Sequence, residues 1–394
     1  MARAKAAFRV THEQLTIRGR NWLGPVVRPL RMQWQQRRGG GGRGWAAADL
    51  RPQNLEWLEN YADTIPSGTL LHRVAVLPHR VDLHPRSLPA AMEHLGGEIM
   101  LVDRGDSGWL DALRDAHVDG VIVRIGHDSL LQRALGLEQI GAIRDAGIPC
   151  WPLPQEAELY ENKRRLAGFL DAHDLPRVPT TVLVSRAQAM AYLADRAYPA
   201  VVKLDQGSSG SGVWRVEDRI EAQALARWAF GRGLAYRGAH PHERQRGHLI
   251  VQDLVPRARE IRIIRIGSHW AGMEKLRAGG WRHSGSGVVD IERPALEFFD
   301  LAASICDRFG FRCMALDLLV DPEGNPAILE LQTWFGSYSA TQMTQDGVPG
   351  TLVRRGGGWE FVPGIRNVHR GWTQRLLAFD EWLAGLPDSD ESPT

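Results

Sequence analysis

Three oxygen-bearing side chains in the last third of the sequence are spaced to share a cation. The runs CMALDLLV (313–320) and PAILELQ (326–332) flank DPEGN, a strong turn signal, and read as a β-hairpin. If Val320 pairs with Ala327, then Asp317 faces Glu330, and Gln332 lies on the same face two residues on. Directly opposed like charges destabilise an otherwise apolar sheet. A divalent cation removes the conflict, and oxygens from Asp, Glu and Gln suit Mg²⁺, with Mn²⁺ as a substitute. The competing reading is that one acid faces water or meets an arginine. Arginine is abundant here, because only four of the 48 Lys and Arg residues are lysines.

Those four are Lys5, Lys163, Lys203 and Lys275. A chain that so favours the planar fork keeps an ammonium inside the fold where a compact point charge is needed. Lys203 ends the apolar run PAVVK and is followed by DQGSSGSGV (205–213), which contains Gly207, Ser208, Ser209, Gly210 and Gly212. A Walker loop would open a helix and carry GK[ST] at its end. This loop instead joins two strands, as a mobile flap of backbone N–H groups over phosphates or as a loose hairpin. Gln252, Asp253, Leu254 and Val255 form a short apolar strand running into a loop, able to offer backbone groups to a planar base. Glu260 and Arg262 share one face of REIRIIRIG (259–267), Lys275 stands on the next strand, and Lys163 opens a helix after ENK. Taken singly, each of these is equally a surface residue. His240, His242 and His248 lack the fourth ligand and the spacing of a zinc site.

The elements that must position these residues alternate. RVAVLP (73–78), EIMLVD (98–103), GVIVRI (120–125) and IPCWP (148–152) read as strands, with helical stretches at 88–96, 109–117 and 130–147 between them. That alternation predicts a parallel, helix-covered sheet. PHRVDLHP follows the first strand where a dinucleotide site would need a glycine fingerprint. The middle of the chain reads as a helix (161–173), a strand (180–184), a helix (187–196), the lysine strand with its glycine loop, and a helix (222–231). The last third reads as strands at 248–256, 259–267 and 269–277, an amphipathic helix at 295–309 stopped by Gly310, and the hairpin. From Gly356 onward one helix (372–386) precedes an acidic stretch.

Composition bounds the answer. The chain has 394 residues, 43% hydrophobic and 24% charged, as in soluble globular proteins of two or three domains. A net charge of +2 gives no global pull on nucleic acid, which is not expected as a partner. No apolar run approaches the roughly 18 residues of a membrane span. Cys150, Cys306 and Cys313 are odd in number and scattered, which fits a reducing cytoplasm. Residues 1–43 carry nine arginines and Lys5 against Glu13, with Trp22, Trp34 and Trp45 in or beside them, and end in RRGGGGRG. They read as a basic arm and linker, or as a contact for an anionic partner.

In order along the chain stand a lysine near a helix start, P-x-VVK, a Gly-rich hairpin, an apolar VQ-acid segment, E-I-R, and D-x(12)-E-x-Q. That order resembles the ATP-grasp superfamily over roughly residues 70–345, and EIRIIRIG with GMEKLR…WRHS is similar to its ribosomal-protein glutamate ligase type. The resemblance implies an α/β fold, α+β in its C-terminal parts. It divides the chain into a basic extension (1–67), a parallel β/α pre-ATP-grasp domain (68–154), a central lid subdomain (155–247), a C-terminal subdomain with the metal site (248–355), and a helix with an acidic tail (356–394). It implies that Lys163 and Lys203 contact the phosphates of ATP and that Gly207 to Gly212 cover them. Gln252, Asp253, Leu254 and Val255 would hold adenine, with Glu260 a ribose-side or active-site acid. Arg262 and Lys275 would serve the transferred phosphate, and Asp317, Glu330 and Gln332 would bind Mg²⁺. Relatives commonly carry Asn where Gln332 stands and Arg where Lys275 stands.

The implied activity is ATP-dependent ligation of a carboxylate to an amine through an acyl phosphate. A phosphotransferase and a nucleotide-binding regulatory module on the same fold are the alternatives. The carboxylate belongs to a small molecule, a peptide or a glycan, and a homo-oligomer is open. Trp334, Phe335 and Tyr338 follow the metal residues as an aromatic wall for a substrate, or as rings packed under their loop.

Overall fold

The computed structural model describes residues 52–83, 87–127, 129–207, 210–236, 242–278, 280–336 and 339–386. The basic arm up to Arg51, Ser208, Ser209, His240, Tyr338 and the acidic tail from Pro387 lie outside the described residues. Among the described residues no helix is long and apolar enough to cross a membrane.

The fold is mixed α/β, with one parallel and two antiparallel sheets. The first alternation yields strands β1 (Val74–Leu77), β2 (Ile99–Leu101), β3 (Gly120–Val123) and β4 (Cys150–Trp151), all parallel, in the order β2-β1-β3-β4. β1 and β3 are buried throughout, as helix-covered parallel strands must be.

The middle sheet contains β5 (Thr180–Leu183), β6 (Ala200–Lys203), β7 (Val213–Val216) and β8 (Leu249–Asp253), antiparallel, in the order β5-β8-β6-β7. Ala200, Val202, Trp214 and Val251 point to one face, where the helices at 186–195 and 219–229 cover them. Strand alternation therefore sends Val201, Lys203, Ile250 and Gln252 to the other face.

The large sheet contains β9 (Arg259–Ile266), β10 (His269–Lys275), β11 (Val289–Asp290), β12 (Cys313–Val320), β13 (Pro326–Gln332), β14 (Thr344–Gln345), β15 (Val348–Arg355) and β16 (Gly358–Pro363). Its order is β13-β12-β9-β10-β15-β14, with β11 on β10 and β16 on β15. The back face, with Ile261, Ile263, Leu316 and Leu331, packs on the helices at 163–172 and 296–309. Gly310 ends the second helix in the left-handed region, at φ 69°. Part of the front face, with Ile264, Ile266, Met273 and Ala315, joins the core of the parallel sheet through the helix at 372–384. That helix approaches closely: a Cβ on Gly267 would lie 2.7 Å from Ala378.

The hairpin departs from the expected register near its turn. Val320 pairs with Pro326 and Leu319 with Ala327, one residue short of the expected pairing. A β-bulge beside Leu318 then absorbs one residue and restores Asp317 opposite Glu330. The apolar pattern requires it. Ile328 and Leu331 are three residues apart, yet both reach the back core. In a regular strand that spacing would send them to opposite faces.

Candidate active site

Asp317 lies at the centre of a row of charges. On β12 it sits directly between Arg262 of β9 and Glu330 of β13, so all three project from the front face. Arg262 donates Nε to Asp317 Oδ1 at 2.7 Å and Nη2 to Oδ2 at 2.8 Å, a bidentate pair. Lys275 donates Nζ to the same Oδ2 at 2.7 Å and to Glu260 Oε1, its cross-strand neighbour, at 2.6 Å. Ser284 Oγ donates to Glu260 Oε1 at 2.6 Å. Burial alone would raise the Asp317 pKa, but Arg262 and then Lys275 outweigh it and hold the carboxyl well below the usual carboxylate range. An arginine does meet one of the two acids, and the acids nonetheless share a face.

Glu330 and Gln332 complete the row at the sheet edge. Lys163 Nζ lies 3.2 Å from Glu330 Oε1. Gln332 donates Nε2 to Glu330 Oε2 at 3.2 Å, which leaves its own Oε1 buried with no partner. Burial opposes ionisation of Glu330, but the charges of Lys163, Lys203 and Lys275 keep its pKa low. No cluster of three His, Cys, Asp or Glu groups able to hold a metal exists among the described residues. A cation site here thus depends on the amide of Gln332. By donor type the set fits Mg²⁺: two carboxylates and one unclaimed amide oxygen, all hard. Asp317 Oδ1, which accepts only from Arg262 Nε, keeps a second lone pair, whereas Oδ2 is claimed by Arg262 Nη2 and Lys275 Nζ.

The opposite side of the cleft carries the two other buried lysines. Lys163 is the first residue of its helix, whose N-cap Asn162 accepts from Arg165 N. A cation there opposes the helix dipole, so capping does not explain the residue. Burial disfavours its charge, yet Glu330 and Glu161 more than compensate and raise its pKa. Lys203 has no such compensation. Burial, only partly offset by Glu330 and reinforced by Lys163, pushes its pKa down to about 8. No carboxylate among the described residues lies within ion-pair distance of it. Lys163, Lys203, Gln252, Leu166, Ile250 and Leu329 line one pocket between the middle sheet and the edge of the large one.

The glycine loop folds down onto this pocket. Gly207 donates its N–H to Glu161 Oε2 at 3.1 Å, and its carbonyl accepts from Lys163 Nζ at 3.3 Å. With φ at +138° and Ser211 O only 2.2 Å from where a Cβ would stand, only glycine fits at 207. Gln245 clamps the loop base, accepting from Asp205 N at 2.7 Å and donating to Gln206 O at 3.0 Å. Arg282 holds the loop tip, donating Nη1 to Gly210 O at 2.6 Å. Gly212 closes the turn, its carbonyl accepting from Leu204 N at 2.8 Å.

Most of the expected residues therefore converge, but not all. Gln252 faces the pocket and donates Nε2 to Thr180 Oγ1 at 2.8 Å. Asp253 turns away, is exposed, and pairs with Arg196 at 2.8 Å. Leu254 and Val255 follow it, half-buried, outside the pocket lining. Glu260 binds Lys275 on the acid side of the cleft and does not line the pocket that Gln252 faces. Trp334 is buried, donates Nε1 to Val123 O at 3.1 Å, and lies between Arg124 and Arg375 at 4.6 and 5.1 Å, so it packs under its loop. Sequence reasoning missed Glu161, Gln245, Arg282 and Ser284. Glu161 had a signal, since it stands in the ENK triplet. Arg282 and Ser284 had one too, in the WRHS stretch, whereas Gln245 lies in a polar loop without one.

The chain matches no protein-family model. It is 34% identical over 100 residues to a phosphoribosylamine–glycine ligase of Allochromatium vinosum, covering 25% of this chain and 23% of that protein. It is 34% identical over 119 residues to one of Phenylobacterium zucineum, covering 30% and 27%. The chain thus spans about a quarter of the length of the curated relatives it matches. Among solved structures it is similar to a RimK domain ATP-grasp protein of Sphaerobacter thermophilus, with 21% identity, 66% and 90% of the two chains covered, and a TM-score of 0.46. It is also similar to a D-alanine–D-alanine ligase of Bacillus anthracis complexed with ATP, with 15% identity, 66% and 86% covered, and a TM-score of 0.46.

Proposed function

We propose that the protein is an ATP-dependent carboxylate–amine ligase of the ATP-grasp kind. It forms an amide through an acyl phosphate and releases ADP and phosphate. The observation that carries this reading is the 3.2 Å contact of Lys163 with Glu330. It joins the lysine side of the cleft to the acid row, so a triphosphate gripped by Lys163 and Lys203 would end at Asp317 and Glu330. The ordered motifs support the same reading. The two curated proteins that share stretches with this chain are, by name, ligases.

A carboxylate is a poor acylating agent. Its oxygen attacks the γ-phosphorus, the bond to ADP breaks, and an acyl phosphate with a good leaving group forms. The amine nitrogen then attacks the acyl carbon, the bond to phosphate breaks, and the nitrogen loses a proton. The protein's work is to position reactants and offset charge. Lys163, Lys203 and the loop from Gly207 to Gly212 hold the phosphates, and Gln252 lies along the base pocket. Arg262 and Lys275 orient the incoming carboxylate and offset charge on the phosphoryl group, while Glu260 and Ser284 hold Lys275 in place. Asp317, Glu330 and Gln332 would hold Mg²⁺, which supplies a counter-charge to the β- and γ-phosphates.

Incubation with ATP, Mg²⁺, pooled carboxylates and hydroxylamine tests the proposal. The expected products are a hydroxamate and ADP in equal amounts. A stable phosphorylated product instead identifies a phosphotransferase, and nucleotide binding without ADP release identifies a regulatory module.

A further inference from the structure

The front face of the large sheet does not end at the charged row. On β9, Glu260, Arg262, Ile264 and Ile266 project to the same side, opposite Lys275, Met273, Ala271 and His269 of β10. A small, partly open pocket begins at the Ile264–Ala271 pair. At about 3.3 Å per residue it spans roughly 7 to 13 Å from Arg262 along the strand.

Its far wall comes from the C-terminal segment, outside the stretch that carries the superfamily motifs. Arg366, Asn367 and Gln374 face the strands, while Thr341 and Gln342 close one side. The lining contains no Asp or Glu. His269, whose Nδ1 lies 3.0 Å from Thr351 Oγ1, is kept neutral: burial first, then Arg366 and Arg355, push its pKa down to about 4. Arg366 is therefore the one charge of the lining. Its Nε is buried without a partner, and no carboxylate among the described residues pairs with it. Arg366 is half-buried, so leaving its Nε unpaired carries a cost, and its fork matches a carboxylate. Beneath it, Ile264, Ile266 and Ala271 make an apolar floor suited to methylenes.

We propose that this pocket sets acyl-substrate specificity. The substrate is a dianion whose far carboxylate pairs with Arg366, whose chain crosses Ile264 and Ala271, and whose reacting carboxylate lies at Arg262 and Lys275. This rests on the ligase reading for the second carboxylate but not for the pocket itself.

The test uses adipate and sebacate as dianions, hexanoate as a monoanion and orthophosphate as a small anion, at equal ionic strength. Melting shifts are read on the full chain without ATP. A dianion is expected to raise the melting temperature more than hexanoate or orthophosphate does. Arg366→Gln should abolish that difference, and Arg366→Lys should retain part of it. In the hydroxamate assay, Arg366→Gln should raise the KM for the dianion about ten- to hundredfold, the loss of a charged hydrogen-bonded pair, with ATP affinity unchanged and kcat within a few-fold. Should Arg366→Gln fail to fold, Arg366→Lys decides alone, because a lysine loses the fork and must weaken the dianion preference. Equal shifts from dianions, hexanoate and orthophosphate, or a dianion preference that survives Arg366→Gln, would overturn the subsite. Arg366-dependent dianion binding without any hydroxamate would leave the pocket standing and sink the ligase reading. Hydroxamate formed equally from monocarboxylates, with Arg366→Gln indifferent, would do the reverse.

Discussion

The two sides of the cleft solve the burial of charge in opposite ways. On the large sheet, Arg262, Asp317, Lys275 and Glu260 satisfy one another within 2.8 Å, so this row holds its own geometry. On the middle sheet, Lys203 is as deeply buried as Lys275, at 8% exposure each, yet has no carboxylate to pair with. A buried charge without a partner opposes folding. On the proposed reading, the difference teaches that the residues positioning the reactants are held by mutual pairing, whereas the lysine side is left incomplete for a triphosphate to supply the missing charge. Binding energy would then go into closing that side rather than into breaking existing pairs.

The largest way to break that comparison is Asp317→Asn. Removing the acid leaves Arg262 and Lys275 facing each other with Glu260 alone. Breaking a buried pair costs about 3–5 kcal/mol, so urea unfolding should shift by a large fraction of total stability. Hydroxamate formation should fall about 100- to 1,000-fold or more, as when a charge-stabilising group leaves an active site. A variant that melts and turns over like the parent would show that the row is not pre-assembled by Asp317.

Lys203→Met sharpens the contrast with the opposite sign. ATP affinity, read by calorimetry, should drop about ten- to hundredfold with the loss of one charged contact. The ligand-free protein should melt no lower than the parent, because methionine fills the same volume without a buried charge. The parent should also bind ATP more weakly as pH rises through about 8. The free lysine loses its proton there while the nucleotide-bound lysine keeps it, so affinity falls by up to about tenfold per pH unit. Lys203→Arg should bind ATP without that alkaline limb, since arginine stays charged. A pH-independent affinity in the parent would remove Lys203 from the phosphate contacts.

What the sequence disclosed follows the same division. Alternating apolar runs set the parallel sheet, and period-two patterning put Asp317 and Glu330 on one face. That pairing survived a register slip at Val320 only because the bulge corrected it. A bulge leaves no mark in propensity; its trace is the three-residue spacing of Ile328 and Leu331. The rare lysines pointed at both sides of the cleft. Asp253, however, was placed by its neighbours in the chain, while its own side chain follows Arg196 outward. Residues that act through loops, such as Gln245 on Gln206 and Arg282 on Gly210, depend on distant backbone positions that no local pattern records. β16 was missed because its glycine-rich approach reads as a break, although Gly356 and Gly357 supply its turn with positive φ. The wall of Arg366 and Gln374 was invisible for the same reason, since only packing against β9 makes those residues part of a pocket.

The mildest test of the comparison concerns an acid buried without cations. Glu156, fully buried, joins the helix at 154–159 to the large sheet by accepting from Leu153 N at 2.8 Å and from Arg312 N at 2.9 Å. Burial raises its pKa to about 7, against the backbone N–H groups that favour its charge. The unfolded chain releases this proton near the ordinary glutamate value, whereas the folded chain holds it until about pH 7. The contribution of Glu156 to stability is therefore fully present below the unfolded value and is lost as pH rises through 7. Glu156→Gln keeps an acceptor oxygen and never ionises, so its stability should be flat over that window. Relative to the parent it should gain on the order of 1 kcal/mol between pH 5 and pH 8 in urea titrations. If instead the variant loses stability equally at both ends, Glu156 is ionised throughout, and the backbone donors alone do for this acid what Arg262 and Lys275 do for Asp317.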